Sequence, residues 1–342
     1  MPVSSIRIPY AVTPLDPHDA LLLLLAGLVI DAAFGEMPAL FVWLRHPVVL
    51  FGVFIGFFDR KLNRPTRSER ARGVRGIITV VLLVGGAAAL GWLLHWACRQ
   101  SISGAVIEAW LIGVMVAQRS LYQHVLAVGR ALDRHGLEAG REAVSRIVGR
   151  DPMMLDRFAV ARAAIESLAE NFSDGVVAPV FWYLLAGLPG LFAYKMANTL
   201  DSMIGHRTLR YRAFGWAAAR FDDLLNLLPA PCSGILLVAA TIFAGVMMPG
   251  QALAVMLRDG RKHRSPNAGW PEAAMAGALG ISLAGPRHYH EELVRDPWLG
   301  EGSPRASAVD IYRALRLYRL ACLLLWGMIV GVLVASHVTR LD

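Results

Sequence analysis

Residues Gly76 to Cys98, GIITVVLLVGGAAALGWLLHWAC, run for 23 residues without an Asp, Glu, Lys or Arg. As a helix this segment is about 34 Å long, enough to cross a hydrocarbon core of about 30 Å. A chain built around such a segment meets a strict rule: inside lipid every backbone N–H and C=O must be satisfied internally, so helices are the economical solution. The rest of the chain agrees, with 56% hydrophobic and only 18% charged residues over 342 and a mean hydropathy of +0.48. The expected fold class is all-α: a polytopic membrane helical protein with a re-entrant or broken hairpin and cytoplasmic amphipathic helices. Arg319 to Ser336 and Cys232 to Met248 are further apolar segments free of acids. Leu21 to Phe34 and Leu40 to Phe58 read as a hairpin, with Asp31, Glu36, Arg45 and His46 at its turn or within it, where charge needs a partner or water. The first apolar run has no clean small-residue cleavage site, so it reads as a retained membrane segment rather than a signal peptide.

The net charge of +8 and pI near 9.8 raise nucleic acid as a partner, but the arginines flank apolar segments and no recognition motif accompanies them. Positive-inside topology explains them, and no nucleic-acid partner is expected. Asp59 to Arg75 carries seven Lys/Arg against two acids, which assigns it to the cytoplasmic side. Gly76 to Cys98 then crosses outward and Val106 to Ala117 returns. Leu137 to Val148 and Pro152 to Glu170 read as amphipathic helices, the second with Asp151 as N-cap and Pro152 at its first position, and Asn171 to Gly175 as a break. Val176 to Leu200 is interrupted by AGLPGL. Each piece is too short to span alone, so a broken hairpin with both ends on the cytoplasmic side fits best. A second hairpin bent at Met248-Pro249-Gly250 would have a return limb, Gln251 to Leu257, too short to cross. The expectation is one integral membrane domain over 1–342, with 118–175 and 258–318 mostly polar and cytoplasmic. Cys98, Cys232 and Cys322 form no metal or disulfide pattern and read as packing residues.

Four polar clusters touch apolar sequence. In ESLAENFSDGVVAP, Glu166, Glu170 and Asp174 repeat at a spacing of four, which stacks like charges on one helical face, with Asn171 beside them. KMANTLDS sets Lys195, Asn198, Asp201 and Ser202 largely on one face. Arg220, Asp222, Asp223 and Asn226 precede LLPAP, and Asn267, Trp270 and Glu272 lie in a turn leading to a small-residue helix. Each has a bland reading, as a solvated face, a cap or an interfacial aromatic. The recurrence of amide beside carboxylate at the edge of apolar segments favours a site. Carboxylate and amide oxygens suit a hard cation, and Mg²⁺ takes one or two protein carboxylates with phosphate oxygens. No GxxxxGK[ST], HExxH or GxSxG stretch is present.

The stretches ARAAIESLAENFSDGVVAPVFW, YKMANTLDSMIGHRTLRYRAFGWAAARFDDLLNLLPA and SPNAGWPEAAMAGALGISLAGP, with HPVVLFG and an Arg/Gly-rich turn at Arg72 to Gly76, closely resemble the adenosylcobinamide-phosphate synthase family, membrane proteins of cobalamin biosynthesis. The resemblance covers most of the chain. Phe172 and Ser173 depart from a smaller Thr/Val pair, and Glu36 stands where Asp is common. Neither change removes a motif carboxylate or amide.

The resemblance implies a C–N ligase of the bacterial cytoplasmic membrane with its site facing the cytoplasm. It would join adenosylcobyric acid to (R)-1-amino-2-propanol phosphate or ethanolamine phosphate, using ATP and Mg²⁺, to give adenosylcobinamide phosphate. On that reading Glu166, Glu170, Asp174 and Asp201 are the catalytic carboxylates, and the same four with Asp222 and Asp223 are metal or nucleotide ligands. Lys195, Arg207, Arg210 and Arg212 face phosphate. Asn171, Asn198, Ser202 and Asn267 orient polar groups, and Trp270 stacks on a flat ligand or anchors at the interface. Expected partners are the two substrates, the bilayer, other enzymes of the pathway and a second copy of the chain. The rival readings are a corrinoid transporter, since re-entrant helices and intramembrane carboxylates occur there too, and a regulatory membrane sensor.

Overall fold

The structure, a computed structural model, describes residues 17–35, 46–149, 152–245, 248–289 and 292–338. It is an all-α polytopic membrane protein with one small hairpin of strands. The helices are α1 (Pro17–Phe34), α2 (Pro47–Leu62), α3 (Glu69–Cys98), α4 (Ile102–Met115), α5 (Gln118–Arg134), α6 (Leu137–Val144), α7 (Arg157–Phe172), α8 (Ala178–Ile204), α9 (Trp216–Leu225), α10 (Pro229–Ala244), α11 (Pro249–Asp259), α12 (Gly269–Leu279) and α13 (Ala308–Val338). Strands β1 (Leu283–Tyr289) and β2 (Glu292–Leu299) pair antiparallel before α13.

Among the described residues five segments are long and apolar enough to cross a membrane: α1, α3, Ile102–Arg134, Arg157–Ile204 and α13; the number is six if the bent pair α9 and α10 counts as one span. Lipid explains what would otherwise be an anomalous surface. Ile77, Ile78, Val81, Leu82 and Leu93 on α3, and Leu323, Met328 and Val332 on α13, are exposed, in contiguous stripes of a kind that soluble monomers rarely show.

The expected span at Gly76 begins earlier, because Ser68 caps α3 through the Ala71 N–H at 3.3 Å; Arg72 to Gly76 is therefore helix and not a turn. The expected N-terminal hairpin is not a packed pair: α1 lies against α4 and α13, and α2 against α8. Leu40 to Arg45 and Glu36 lie outside the described residues. Asp31 does find its partner, since its Oδ2 accepts the Gln118 N–H at 2.8 Å and so caps α5.

Asp151 is also outside the described residues, but the helix expected from Pro152 opens later. Pro152–Met154 is a single 3₁₀ turn, and Asp156 caps α7 by accepting the Ala159 N–H at 2.7 Å. The Asn171 to Gly175 break is absent as well. Helix α7 runs through a π-helical turn, Ser173–Val177, straight into α8. Polar residues signal a turn only where water can solvate the freed backbone, and here Ser173, Gly175, Val176 and Val177 are buried.

The broken hairpin is present. Ala186 and Gly187 leave helical geometry, with Gly187 at φ 63°, and the chain reverses. The proof is a long-range bond: Asn198 Nδ2 donates to Asp174 Oδ2 at 3.3 Å, although 24 residues of straight helix would separate the two by about 36 Å. Packing on α3 fixes the bend. A side chain at Gly91 would come within 2.7 Å of the Leu188 carbonyl, so only glycine admits this approach. The expected short return limb after Pro249 is α11, which packs along α12 beside α10 instead of returning through the membrane.

Candidate active site

Three of the four polar clusters converge at the end of the bundle where α3 begins, and the fourth joins them through one residue. Asn198, on the returning limb of α8, bridges two carboxylates: its Nδ2 donates to Asp174 Oδ2 at 3.3 Å and to Asp222 Oδ1 at 3.4 Å. Asp222, only 5% exposed, takes a second bond on Oδ2 from Asn226 at 3.1 Å. Tyr194 ties the pieces together, donating to the Asp174 carbonyl at 3.2 Å and to Asn226 Oδ1 at 3.1 Å. Lys195 is buried and faces both Asp174 and Asp222, and Glu170 and Asp201 add negative charge around Asp174. Next to this pair, Asp223 meets Arg220 at 3.0 Å and accepts from Asn267 Nδ2 at 3.3 Å, with exposed Arg207 within electrostatic range.

The local sequence explains why these groups point together. Lys195, Asn198 and Asp201 lie three apart on one face of α8. Asp222 and Asn226 are four apart on α9, a spacing that lets the amide hold the acid. The π-helical turn shifts the face that α7 presents by one residue and so directs Asp174 at the returning limb.

Other expected site residues are placed elsewhere. Glu166 is buried and its Oε1 accepts the Ala284 N–H at 2.8 Å, holding a non-glycine residue at φ 59° at the bulge of the strand hairpin. Asn171 donates back to the Ser167 carbonyl at 2.9 Å. Ser202 is exposed and donates to the Asn198 carbonyl at 2.9 Å. Arg210 pairs with Asp59 at 2.6 Å, and Arg212 reaches Glu69 with its Nε at 2.8 Å, so both arginines knit the loop after α8 to α2 and α3. Trp270 stacks under Arg261 at 5.8 Å. Tyr194 is the member that sequence reasoning missed; a tyrosine inside an apolar helix carries no polar spacing signal.

Among the described residues no three His, Cys, Asp or Glu side chains are grouped to hold a metal on their own. The oxygens nevertheless fit a hard cation that brings phosphate ligands with it. Asp174 and Asp222 share one amide donor, and Asn267 Oδ1 is buried without a hydrogen-bond partner. One or two carboxylates and an amide are what Mg²⁺ takes when a nucleotide supplies the rest.

The family model described as CobD/Cbib protein matches residues 24–318. The chain belongs to the CobD/Cbib family. Among curated relatives, the cobalamin biosynthesis protein CobD of Sinorhizobium sp is 52% identical over 317 residues, covering 91% of this chain and 98% of the relative. Those of Rhizobium meliloti (strain 1021) and Rhodobacter capsulatus are 48% and 46% identical, over 89% and 87% of this chain and 94% and 93% of the relatives. No solved structure matches. The family to which the sequence stretches pointed is thus established, and Asp174, Lys195, Asn198, Asp201, Asp222, Asp223 and Asn267 of this chain form one constellation.

Proposed function

We propose that this CobD/Cbib chain acts in cobalamin biosynthesis, the process its relatives are named for, as an ATP-dependent amide ligase. It joins a carboxylate of adenosylcobyric acid to the amine of (R)-1-amino-2-propanol phosphate or ethanolamine phosphate, at a site facing the cytoplasm. The observation that carries this reading is the Asp174–Asn198–Asp222 bridge around Lys195: acids and a lysine from three separate segments, held together by the fold-back of α8.

A carboxylate does not react with an amine until an oxygen is made a leaving group. Transfer of the terminal phosphoryl of ATP to a substrate carboxylate oxygen forms the O–P bond of an acyl phosphate and releases ADP. The amine nitrogen then attacks the carbonyl carbon, the C–N bond forms, the C–O bond breaks and phosphate leaves. Asp174 and Asp222, with Asn267 Oδ1, would hold Mg²⁺, which neutralises phosphate charge when bound. Lys195 meets phosphate oxygens between the two acids, and Asn198 fixes both carboxylates in one orientation. Asp201, with His206 and Arg220 in electrostatic range, would take a proton from the substrate ammonium. Positioned acid–base groups of this kind contribute about 10²–10⁴ in rate.

The test is purified protein with adenosylcobyric acid, ATP, Mg²⁺ and each amine phosphate, followed by the mass of the corrinoid. The expected product gains the mass of the amine phosphate less one water. A chain that moves corrinoid across vesicles with no such gain would be a transporter, and the ligase reading would fall.

A further inference from the structure

A second polar depression lies behind the π-helical turn. This cleft, of about 380 Å³, is lined by Ser120 and His124 of α5, Arg146 after α6, Ser167 and Asn171 of α7, and Gly175 in the turn. It is too small for a corrinoid with its peripheral side chains and lies within the range of small-molecule sites. It shares a wall with the acid constellation, because Gly175 follows Asp174 and Asn171 follows Glu170 in the same continuous helix.

Its polar groups are held in order by a hydrogen-bond chain. Ser167 Oγ donates to the Ile147 carbonyl at 2.9 Å, and Asn171 Nδ2 donates to the Ser167 carbonyl and to Ser167 Oγ at 2.9 and 3.2 Å. With its nitrogen engaged, Asn171 has Oδ1 as an acceptor. His124 Nδ1 lies 2.8 Å from the Ser120 carbonyl; a carbonyl only accepts, so this nitrogen carries the proton and the ring orientation is fixed. Arg146 supplies the cation. Its pairing with Glu142 at 3.3 Å is between side chains 68% and 76% exposed, the kind of contact that holds a guanidinium weakly. Arg210, by contrast, is committed to the buried carboxylate of Asp59.

We propose that this cleft receives the phosphorylated amine, with its phosphate on Arg146 and its ammonium toward the Asn171 Oδ1 acceptor. The nucleotide would remain on the other side of the turn with Lys195 and the aspartates. The naming of the amine rests on the ligase reading; the cleft's affinity for a small phosphate monoester does not. A guanidinium opposite a phosphate dianion recognises it by charge-assisted, often bidentate bonds. The acids at the turn would then keep the ammonium end next to the activated carboxylate.

The experiment is calorimetric titration of the full chain in neutral-lipid nanodiscs, without ATP or corrinoid, using ethanolamine phosphate, 1-amino-2-propanol phosphate, ethanolamine and inorganic phosphate. Both phosphorylated amines should bind, ethanolamine should not, and inorganic phosphate should bind more weakly. Arg146→Gln should weaken binding about tenfold or more, which is about 1.4 kcal/mol, with Arg146→Lys partly restoring it and Arg64→Gln, at an exposed arginine outside the cleft, leaving it unchanged. Equal binding by Arg146→Gln, loss on Arg64→Gln instead, or no binding at all would overturn the proposal. Displacement of the amine phosphates in nanodiscs made with anionic lipid would assign the cleft to a lipid headgroup and also overturn it. Arg146-dependent binding without any ligation would sink the ligase reading and leave the cleft standing. Ligation by Arg146→Gln with an unchanged KM for the amine phosphate would do the reverse.

Discussion

Two sets of buried and half-buried acids in this protein are treated in opposite ways. Asp259, at the end of α11, is saturated: Arg258 Nη2 and Lys262 Nζ each approach at 2.7 Å, and the Gly300 N–H donates at 2.9 Å. Glu108 on α4 likewise meets His95 Nδ1 and Tyr183 OH, each at 3.0 Å. Half-buried Asp174 and buried Asp222 share the Asn198 amide and one lysine, Asp222 taking one further amide bond from Asn226, with further acids close by. A buried charge that serves only the fold is matched in place, because an unmatched one costs several kcal/mol. Where acids outnumber the fixed cations, a charge from outside is expected to complete the set.

The largest effect that would sharpen this contrast is on catalysis. Asp174→Asn and Asp222→Asn should each lower the ligation rate by about 100-fold or more, while melting temperature in detergent holds or rises, because a like charge is removed at nearly constant shape. A fall in melting temperature would move these acids into the structural set. Asp259→Asn should do the opposite, with ligation per folded molecule unchanged and stability lowered by about 2 kcal/mol, the scale of hydrogen bonds to a charged group. Chemical unfolding followed by fluorescence measures it.

A smaller effect separates the sets by pH. The hydrogen bond from Arg258 holds the Asp259 carboxyl well below the usual carboxylate range. Its stabilisation is therefore complete above the unfolded value of about 3.9 and is lost as pH falls below that, through the folded value. The difference in melting temperature between wild type and Asp259→Asn should shrink steadily below about pH 4; a constant gap would break the assignment. Glu108→Gln keeps an acceptor for Tyr183 and should leave ligation within about twofold, with a stability loss near 1 kcal/mol. The smallest change is expected for Arg212→Gln, which loses an exposed pair worth at most about 1 kcal/mol. Its KM for ATP should not move. An increase would return Arg212 to the phosphate.

Much of this was legible along the chain. The apolar period and the Gly187-Pro189 interruption specify a broken hairpin, because a short apolar limb has few ways to satisfy its backbone in lipid. The i+3 and i+4 repeats of amides and acids mark which segments carry chemistry, because helical geometry fixes the face they share. Glu166, Glu170 and Asp174 look equivalent at that level, and they are not. Glu166 is drawn to the Ala284 N–H of a strand hairpin more than 100 residues away, which no local spacing reports. The same holds for Arg210 and Arg212, whose acidic partners lie on α2 and α3.

The sequence by itself determined a helical membrane chain, its family and the four polar segments, since these follow from local periodicity and residue type. Only the tertiary structure decided that Asn198 bridges Asp174 and Asp222 and that Tyr194 closes the network. It also decided that the expected turn at Asn171 is a π-helical continuation with a second cleft behind it. Those outcomes depend on which buried groups remain unpaired once all the helices pack, and that is a property of the whole assembly, with each donor engaged by one segment withdrawn from every other.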